Sequence, residues 1–336
     1  LGLSAERFWT NAWYQKSTWL LLLVPLSWLF RAISRLRRIV LQWRFQGQSY
    51  AMPVVVIGNI SLGGSGKTPL IIALAKALSE RGYSVGVVSR GYGGASAQYP
   101  LVVRPDTPVS QSGDEPLLVA KKLGCPVVVD PNRGRAVEKL VESFSCDLIL
   151  SDDGLQHYRL HRDVEIAVVD GRRRFGNGYT LPAGPLRESP RRLKEVDFII
   201  QNGGIVEPDD PETYIVQLEI SGLRRFGSSE LIGFDQWVES TNIHAVAAIG
   251  HPERFFESLR HMGFKVDSRP KNDHQVLTEC DIGFDDDLPI VITAKDAVKY
   301  EGSVPDNLWV LEVEMALDNE FVSSLIDCVG LTVTSA

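Results

Sequence analysis

"PVVVIGNISLGGSGKTP", residues 53–69, decides how this chain folds. The apolar run from Pro53 to Ile60 has the character of a strand buried on both faces of a parallel sheet. It runs into a glycine-rich turn and then a Lys-Thr pair that opens a helix. The strict phosphate-loop pattern G-x-x-x-x-G-K-[ST], counted back from Gly66-Lys67-Thr68, asks for glycine at position 61, where the chain has Ser61. The chemistry survives that exchange. Small residues let backbone N–H groups converge on phosphate oxygens, a lysine reaches the terminal phosphates, and a hydroxyl binds Mg²⁺. Gly63, Gly64, Ser65 and Gly66 form the turn, Lys67 is the lysine and Thr68 the hydroxyl. The helix that follows turns its positive end toward the same place. Pro69 sits in the first turn of that helix, where its missing N–H costs little.

From this strand outward, strands and helices alternate. A helix from about Lys67 to Arg81 closes at Gly82, followed by a strand "YSVGVVS", a loop "RGYGG" and a helix from about Asp114 to Leu123. "PVVVD", the helical "NRGRAVEKLVESF", "CDLILSDDG" and "VEIAVVD" continue the series. The pattern predicts an α/β fold: a phosphate-loop, doubly wound parallel sheet with right-handed crossovers. Around "DFIIQNGG" and "TYIVQLEI" the rhythm loosens, and a second α/β series starts at "IHAVAAIG" and runs to the helix "NEFVSSLIDCVG". The expected organisation is an N-terminal helical segment over residues 1–50, a core domain over 51–215 and a smaller α/β domain over 216–336, the boundary falling somewhere between 205 and 240.

A phosphate site needs a second element at the end of a neighbouring strand. "DLILSDDG" provides it, ending in Asp152 and Asp153, either of which can hold Mg²⁺ directly or through water. A guanine-specific site would carry N-K-x-D after a late strand. "TAKD", Thr293–Asp296, has its lysine adjacent to the aspartate, one place off, so ATP is the expected nucleotide.

Composition bounds the partners. The chain has 336 residues, 44% of them hydrophobic, enough for a substantial core, and a formal net charge of -7, which argues against a binder of nucleic-acid backbones. The charge is uneven. No acidic residue occurs between Arg7 and Gln48, while Arg31, Arg35, Arg37, Arg38 and Arg44 follow closely on one another. The same segment holds the apolar run "WLLLLVPLSWLF" (19–30) and tryptophans at 9, 13, 19, 28 and 43. Aromatic, apolar and basic signals together suit an amphipathic helix lying on an anionic membrane surface. The run is short of the roughly 20 apolar residues of a spanning helix, so attachment to the surface is expected. Cys125, Cys146, Cys280 and Cys328 show neither zinc nor disulfide spacing and read as reduced thiols.

Over nearly its whole length the sequence resembles the tetraacyldisaccharide 4'-kinases of lipid A biosynthesis. The resemblance rests on "PLSWLF", "GNISLGGSGKTP", "VGVVSRGYGG", "GDEP", "SDDGLQHYRL", "DGRRRFGNG", "LPAGPLRE", "AIGHPERFF", "DHQ" and "TAKDAVK". Serine in place of the first loop glycine is normal in that family. Ala294 is a departure, standing where the family usually has glutamate. The resemblance implies ATP- and Mg²⁺-dependent phosphorylation of the 4'-hydroxyl of an acylated glucosamine disaccharide 1-phosphate, giving lipid IVA. Such an acceptor lies in the cytoplasmic leaflet of the inner membrane, and a peripheral position there is the expected location.

Phosphoryl transfer asks a protein for charge neutralisation, alignment and a base near the attacking hydroxyl. By resemblance the base is Asp114 of "SGDEP", working with His274 of "NDHQ" in the second domain. Hinge closure would then assemble the site. Read from the sequence alone, Asp114 is equally a helix N-cap and His274 an exposed loop residue. Glu115 is expected near the metal or the acceptor. Arg90, Tyr92, Arg133, His157, Arg187 and Glu188 lie in family-matching motifs as candidate substrate contacts, with surface or interdomain ion pairing as the plain alternative. "HPERFF", 251–256, reads as a helix start with two core aromatics. Two other functions suit the same features: a membrane-associated ATPase switch that controls a partner, and a cytosolic small-molecule kinase with a merely structural N-terminal helix.

Overall fold

The structure, a computed structural model, describes residues 2–45, 47, 49–206 and 212–331. The chain begins with helix α1 (Gly2–Tyr14), then a 3₁₀ stretch (Thr18–Leu23) that runs directly into α2 (Val24–Arg44). The first sheet series follows: β1 (Val54–Gly58), α3 (Lys67–Glu80), β2 (Val85–Ser89), β3 (Leu101–Val103), α4 (Val109–Ser112), α5 (Asp114–Leu123), β4 (Val127–Val129), α6 (Arg133–Ser143), β5 (Leu148–Ser151), β6 (Val164–Asp170) and β7 (Phe198–Asn202). Next come β8 (Tyr214–Arg225), β9 (Leu231–Ile232), β10 (Asn242–Ala247), α7 (Pro252–His261), β11 (Lys265–Pro270), α8 (Glu279–Ile282), β12 (Ile290–Thr293), α9 (Ala294–Ala297), β13 (Leu308–Ala316) and α10 (Asn319–Val329).

Val54 to Ile57 of β1 are wholly buried, as the unbroken apolar run requires. Each such side chain contributes about 1.5–3 kcal/mol relative to exposure. β1 lies between β5 and β6, parallel to both, so the loop leaving it opens at the middle of the sheet. Helix α3 buries Leu70, Ile71, Leu74 and Leu78 against one face. Helix α6, capped by Asn132 accepting from the Gly134 N–H, buries Ala136, Val137 and Leu140 on the other.

The strands form one continuous sheet in the order β11-β10-β12-β13-β8-β7-β6-β1-β5-β2-β4-β3, with β9 paired to β8. The loosening of rhythm has a structural counterpart in β8. Its first residues pair in parallel with β7, and its later ones run antiparallel to β13. The domain boundary expected between 205 and 240 therefore falls on a strand that both lobes share. Beyond it, β10, β11, β12 and β13 are mutually parallel. The last helix returns to the first lobe, where Phe321, Val322 and Leu325 join the core of Leu70 and Leu74. "KDAVKYE" contributes only to the single turn of α9, started by Thr293, whose hydroxyl accepts from the Asp296 N–H.

The N-terminal helices touch the rest of the molecule sparingly. Ser27 stitches α2 to the 180–183 segment, donating to the Thr180 carbonyl at 2.8 Å and accepting from the Ala183 N–H at 2.9 Å. Ala12, Trp13 and Leu20 form a small cluster against Leu62 of the phosphate loop and Leu181. Much of α2 and of the 3₁₀ stretch before it has no protein cover: Leu22 of that stretch is 82% exposed and Trp43 of α2 77%, with Trp28, Leu29, Ile33, Leu36 and Ile39 exposed alongside. The helical stretch Thr18–Arg44, 27 residues, is long and apolar enough to cross a membrane by length and composition. It extends well past the short run 19–30, because the helix continues through the arginines.

Candidate active site

The loop after β1 carries glycines where the backbone must turn. Gly66 has φ 96°, a left-handed conformation that L side chains rarely adopt, and it delivers the chain into α3. Lys67 opens that helix with its Nζ 3.3 Å from the Asp153 carboxylate. Asp152 and Asp153 follow β5, the strand beside β1, so the topology brings both halves of the expected phosphate site together. Asp152 is buried, with Ser89 Oγ donating to one carboxylate oxygen at 3.3 Å and no partner on the other. Burial pushes its pKa well above the usual carboxylate range, and the negative charges of Glu115 and Asp153 add to the effect, with Lys67 and Arg133 opposing. Burial would also raise Asp153, but Lys67 and Arg187 outweigh it and hold that carboxyl down to about 2. Arg187 Nη1 reaches both of its oxygens at 3.1 Å.

Other buried polar atoms here have no hydrogen-bond partner: Asn59 Oδ1, Ser65 Oγ, Ser151 Oγ and Arg133 Nε. Orphaned buried groups are uncommon and costly, and these gather around the loop and the paired aspartates. An excess of buried carboxylate, an orphaned Asp152 oxygen and the Thr68 hydroxyl at the helix start fit a hard, oxygen-seeking cation such as Mg²⁺.

Gly113, with φ 82°, packs so closely on the RGYGG loop that a Cβ there would lie 2.4 Å from the Tyr92 carbonyl oxygen. This contact fixes the start of α5, where Asp114 is buried and ionised. His274 Nδ1 stands 2.9 Å from Asp114 Oδ2, and Lys295 and Lys299 approach the same oxygen at 3.6 and 3.7 Å. Burial would raise Asp114, but the His274 hydrogen bond and the lysines prevail and hold it down to about 2. The same hydrogen bond raises His274 above its ordinary value, against its burial. Residues 114 and 274 come from different lobes, and the structure holds them in contact.

The family model for tetraacyldisaccharide-1-P 4'-kinase (LpxK) matches residues 19–329. This chain belongs to that family. A tetraacyldisaccharide 4'-kinase of Legionella pneumophila (strain Corby) is 43% identical over 314 residues, covering 94% of this chain and 95% of that protein. One from Ruthia magnifica is 44% identical over 304 residues, covering 90% of this chain and 95% of that one. Among solved structures, the "apo" form of LpxK from Aquifex aeolicus in complex with ATP is similar with a TM-score of 0.77 at 28% identity, covering 92% of this chain and 99% of that chain.

As in any kinase of this 4'-kinase family, the chain's site must bring a nucleotide to an acceptor, and the sequence-predicted residues divide into two sets. Around the phosphate loop, Arg133 is buried and donates to the carbonyls of Asp152 and Asp153 at 3.0 and 3.4 Å, so it holds the acidic turn from behind. Burial lowers its pKa. His157 lies nearby, its pKa pushed down to about 4 by burial and then by Arg133, leaving a neutral ring. Glu188 accepts from Gln156 Nε2 at 2.8 Å and the Tyr158 hydroxyl at 2.6 Å, a network that supports the loop rather than opening on it. On the other side, Tyr92 packs edge-on against the His274 ring, 5.1 Å between centroids, and Glu115 takes Lys295 Nζ at 3.0 Å. Arg90 is exposed.

Sequence reasoning missed Lys295, Lys299, Arg173 and His251. The two lysines stand four apart in "TAKDAVK", a spacing that puts both on one side of a helical turn, and this was the available signal. Lys295 would be lowered by burial, but Glu115 and Asp114 raise it, so it is a cation under all ordinary conditions. "HPERFF" does supply two core aromatics, Phe255 and Phe256, yet its histidine points elsewhere. His251 Nε2 lies 3.3 Å from the position a Cβ on Gly63 would take.

Proposed function

We propose that this chain transfers the terminal phosphate of ATP to the 4'-hydroxyl of an acylated glucosamine disaccharide 1-phosphate, a lipid A precursor, giving lipid IVA. The observation that carries this reading is a glycine-turned phosphate loop beside paired aspartates, with a buried, ionised Asp114 joined to His274 across the two lobes and its neighbour Glu115 close enough for its charge to raise Asp152. Its test follows the label of [γ-³²P]ATP incubated with the chain and the acylated disaccharide in mixed micelles. Label on the glycolipid supports the kinase. Label released solely as inorganic phosphate supports a switch ATPase, and label on soluble sugars supports a small-molecule kinase.

In the proposed roles, backbone N–H groups of residues 63–66 and Lys67 hold the β and γ phosphates. Mg²⁺ held by Thr68 and by Asp152 or Asp153, with Glu115 close by, would neutralise charge on the same oxygens. Asp153 keeps Lys67 and Arg187 in place before the nucleotide arrives. Asp114 receives the hydroxyl proton. A carboxylate held near 2 is a weak base toward an unreacted hydroxyl. It is adequate in a loose transition state, where the proton leaves late and the oxygen has already become acidic. His274 and the two lysines keep Asp114 ionised and aimed, and they stabilise the charge passing through it. Arg90, Tyr92 and His157 are left as contacts for the acceptor, whose phosphate a free guanidinium such as Arg90 would grip.

The uncovered apolar and aromatic face of α2, with arginines along the same helix, supports placing the chain on the cytoplasmic face of the inner membrane. Ser27 ties that helix to the 180–183 segment, and Leu62 of the phosphate loop lies in the same small cluster. A membrane-bound helix would thus hold the phosphate loop near the lipid surface, where an acylated acceptor resides.

A further inference from the structure

Beside the phosphate loop lies a group of charged residues that neither Lys67 nor the Asp114 pair uses. Asp170 ends β6, the strand next to β1. Its carboxylate is fully engaged: Oδ1 accepts from the backbone N–H of Arg172 and Arg173 at 3.0 and 3.2 Å. Arg254 of α7, from the second lobe, donates Nη2 to both carboxylate oxygens at 2.8 and 2.7 Å. The backbone turn after β6 is thereby fixed, and it presents the Arg173 side chain to the loop. Arg173 Nη1 is 3.8 Å from where a Cβ on Gly63 would be.

Arg173 is a cation whose direct side-chain contacts are neutral, with Arg254 and Asp170 charged nearby. Its guanidinium lies over the Tyr14 ring, 4.8 Å from the centroid, and hydrogen-bonds His251 Nε2. Among the described residues no carboxylate comes within ion-pairing distance of it, and the nearby Asp170 is already taken by Arg254. His251 is neutral over the working range, since burial and then the charges of Arg173 and Arg254 push it down to about 4. Its Nε2 must therefore accept from Arg173, leaving the proton on Nδ1. The contact is directional: an imidazole from the second lobe aims a guanidinium from the first at Gly63. Gly63 stands three residues before Gly66, in the loop whose backbone, together with Lys67, would cradle the β and γ phosphates. An arginine at such a place, supplied in cis, stabilises the charge of the transferring group.

We infer that Arg173 is a ligand of the nucleotide's terminal phosphate and that His251 is the positioning residue that aims it when the second lobe lies against the loop. The inference rests on the kinase reading and adds to it a cation and a closure contact. The bidentate Arg254–Asp170 pair holds the same seam, so the aim of Arg173 depends on the lobes being together.

Isothermal titration of the full chain with AMP-PNP and with ADP, both with Mg²⁺ and without acceptor, tests it. Arg173→Ala should weaken AMP-PNP roughly tenfold or more, the value of a charged hydrogen bond, while ADP affinity stays within about threefold. His251→Ala should show the same selective loss in smaller measure. His251→Gln, whose Oε1 can still accept from Arg173, should restore most of it. The unchanged ADP affinity reports that each variant is folded. Equal losses for both nucleotides, or none, would overturn the inference while leaving the kinase intact. Intact AMP-PNP binding with a raised KM for the acylated disaccharide would move Arg173 to the acceptor's phosphate and overturn it too. Failure of the unaltered chain to bind either nucleotide would instead remove the kinase reading itself.

Discussion

Asp114→Asn removes one charge and almost no volume, and the structure sets what should follow. Asp114 is 3% exposed, with its oxygen 2.9 Å from His274 Nδ1 and within 3.7 Å of two lysines. The amide oxygen of asparagine can still accept from Nδ1, so the geometry of the dyad should persist. The proton acceptor is gone, and the loss of a general base costs roughly 10²–10⁴ in kcat. Nucleotide affinity should hold, since Lys67 and the loop N–H groups are untouched. Stability should also fall. A folded pKa of about 2 against an ordinary 3.8 corresponds to about 2 kcal/mol at neutral pH. Because the folded value is depressed, this contribution is present above 3.8 and lost as pH falls through about 2. The stabilisation seen from His274 is the same interaction and is counted once. For a chain of this size the loss amounts to a Tm lower by about 3 °C near pH 7. Steady-state kinetics with the acylated acceptor, titration with AMP-PNP and thermal unfolding give the three readouts. Turnover above about a tenth of normal with unchanged nucleotide affinity would refute the base assignment. Collapse of nucleotide binding would refute it differently, by making Asp114 part of the nucleotide cradle.

His274 titrates above its ordinary 6.5 because Asp114 accepts its hydrogen bond, so its protonated form persists to higher pH in the unaltered chain. In Asp114→Asn the NMR titration of the His274 ring should move to lower pH, as burial and Lys295 are then opposed by Asp273 alone. An unmoved titration would show that the pair is not coupled. Replacing Leu22, Leu29 and Trp43 by glutamate places charge on the uncovered surface of the 3₁₀ stretch and α2 without touching Leu20, Val24 or Ser27, which seat the helix. Co-sedimentation with vesicles containing anionic lipid should drop several-fold, while label transfer to a detergent-dispersed acceptor should survive. Unchanged sedimentation would remove the helix from membrane attachment.

What the sequence reveals here is set by range. Contacts within one strand–loop–helix unit are legible. The continuous apolar run of β1, the glycines at φ-demanding turns and the Lys-Thr pair specify the phosphate loop without the rest of the fold. The aspartates at the end of "DLILSDDG" follow, because alternating strands and helices place strand ends together. Asp114 and His274 are 160 residues apart, and Lys295 and Glu115 are 180 apart. Neither contact has any local signature, and the first was expected solely through family resemblance. His251 is harder still. Its neighbours in "HPERFF" are core aromatics, and the local pattern speaks for packing, while its own ring reaches across the seam to Gly63. β8 misleads for another reason: it pairs in parallel on one side and antiparallel on the other, so its residues lack the clean alternation of a strand with one solvated face. The continuation of α2 is likewise hard to read, because the unbroken apolar run ends at Phe30 and arginines interrupt the apolar residues that follow.

The central claim is a single in-line passage of phosphate from the loop to a sugar hydroxyl, with Asp114 taking a proton rather than the phosphate. The most direct test uses ATP made chiral at the γ-phosphorus with oxygen isotopes, followed by analysis of the configuration in the phosphorylated glycolipid. One direct transfer predicts inversion at phosphorus. Retention would mean two transfers through a phosphorylated side chain, and it would contradict the account.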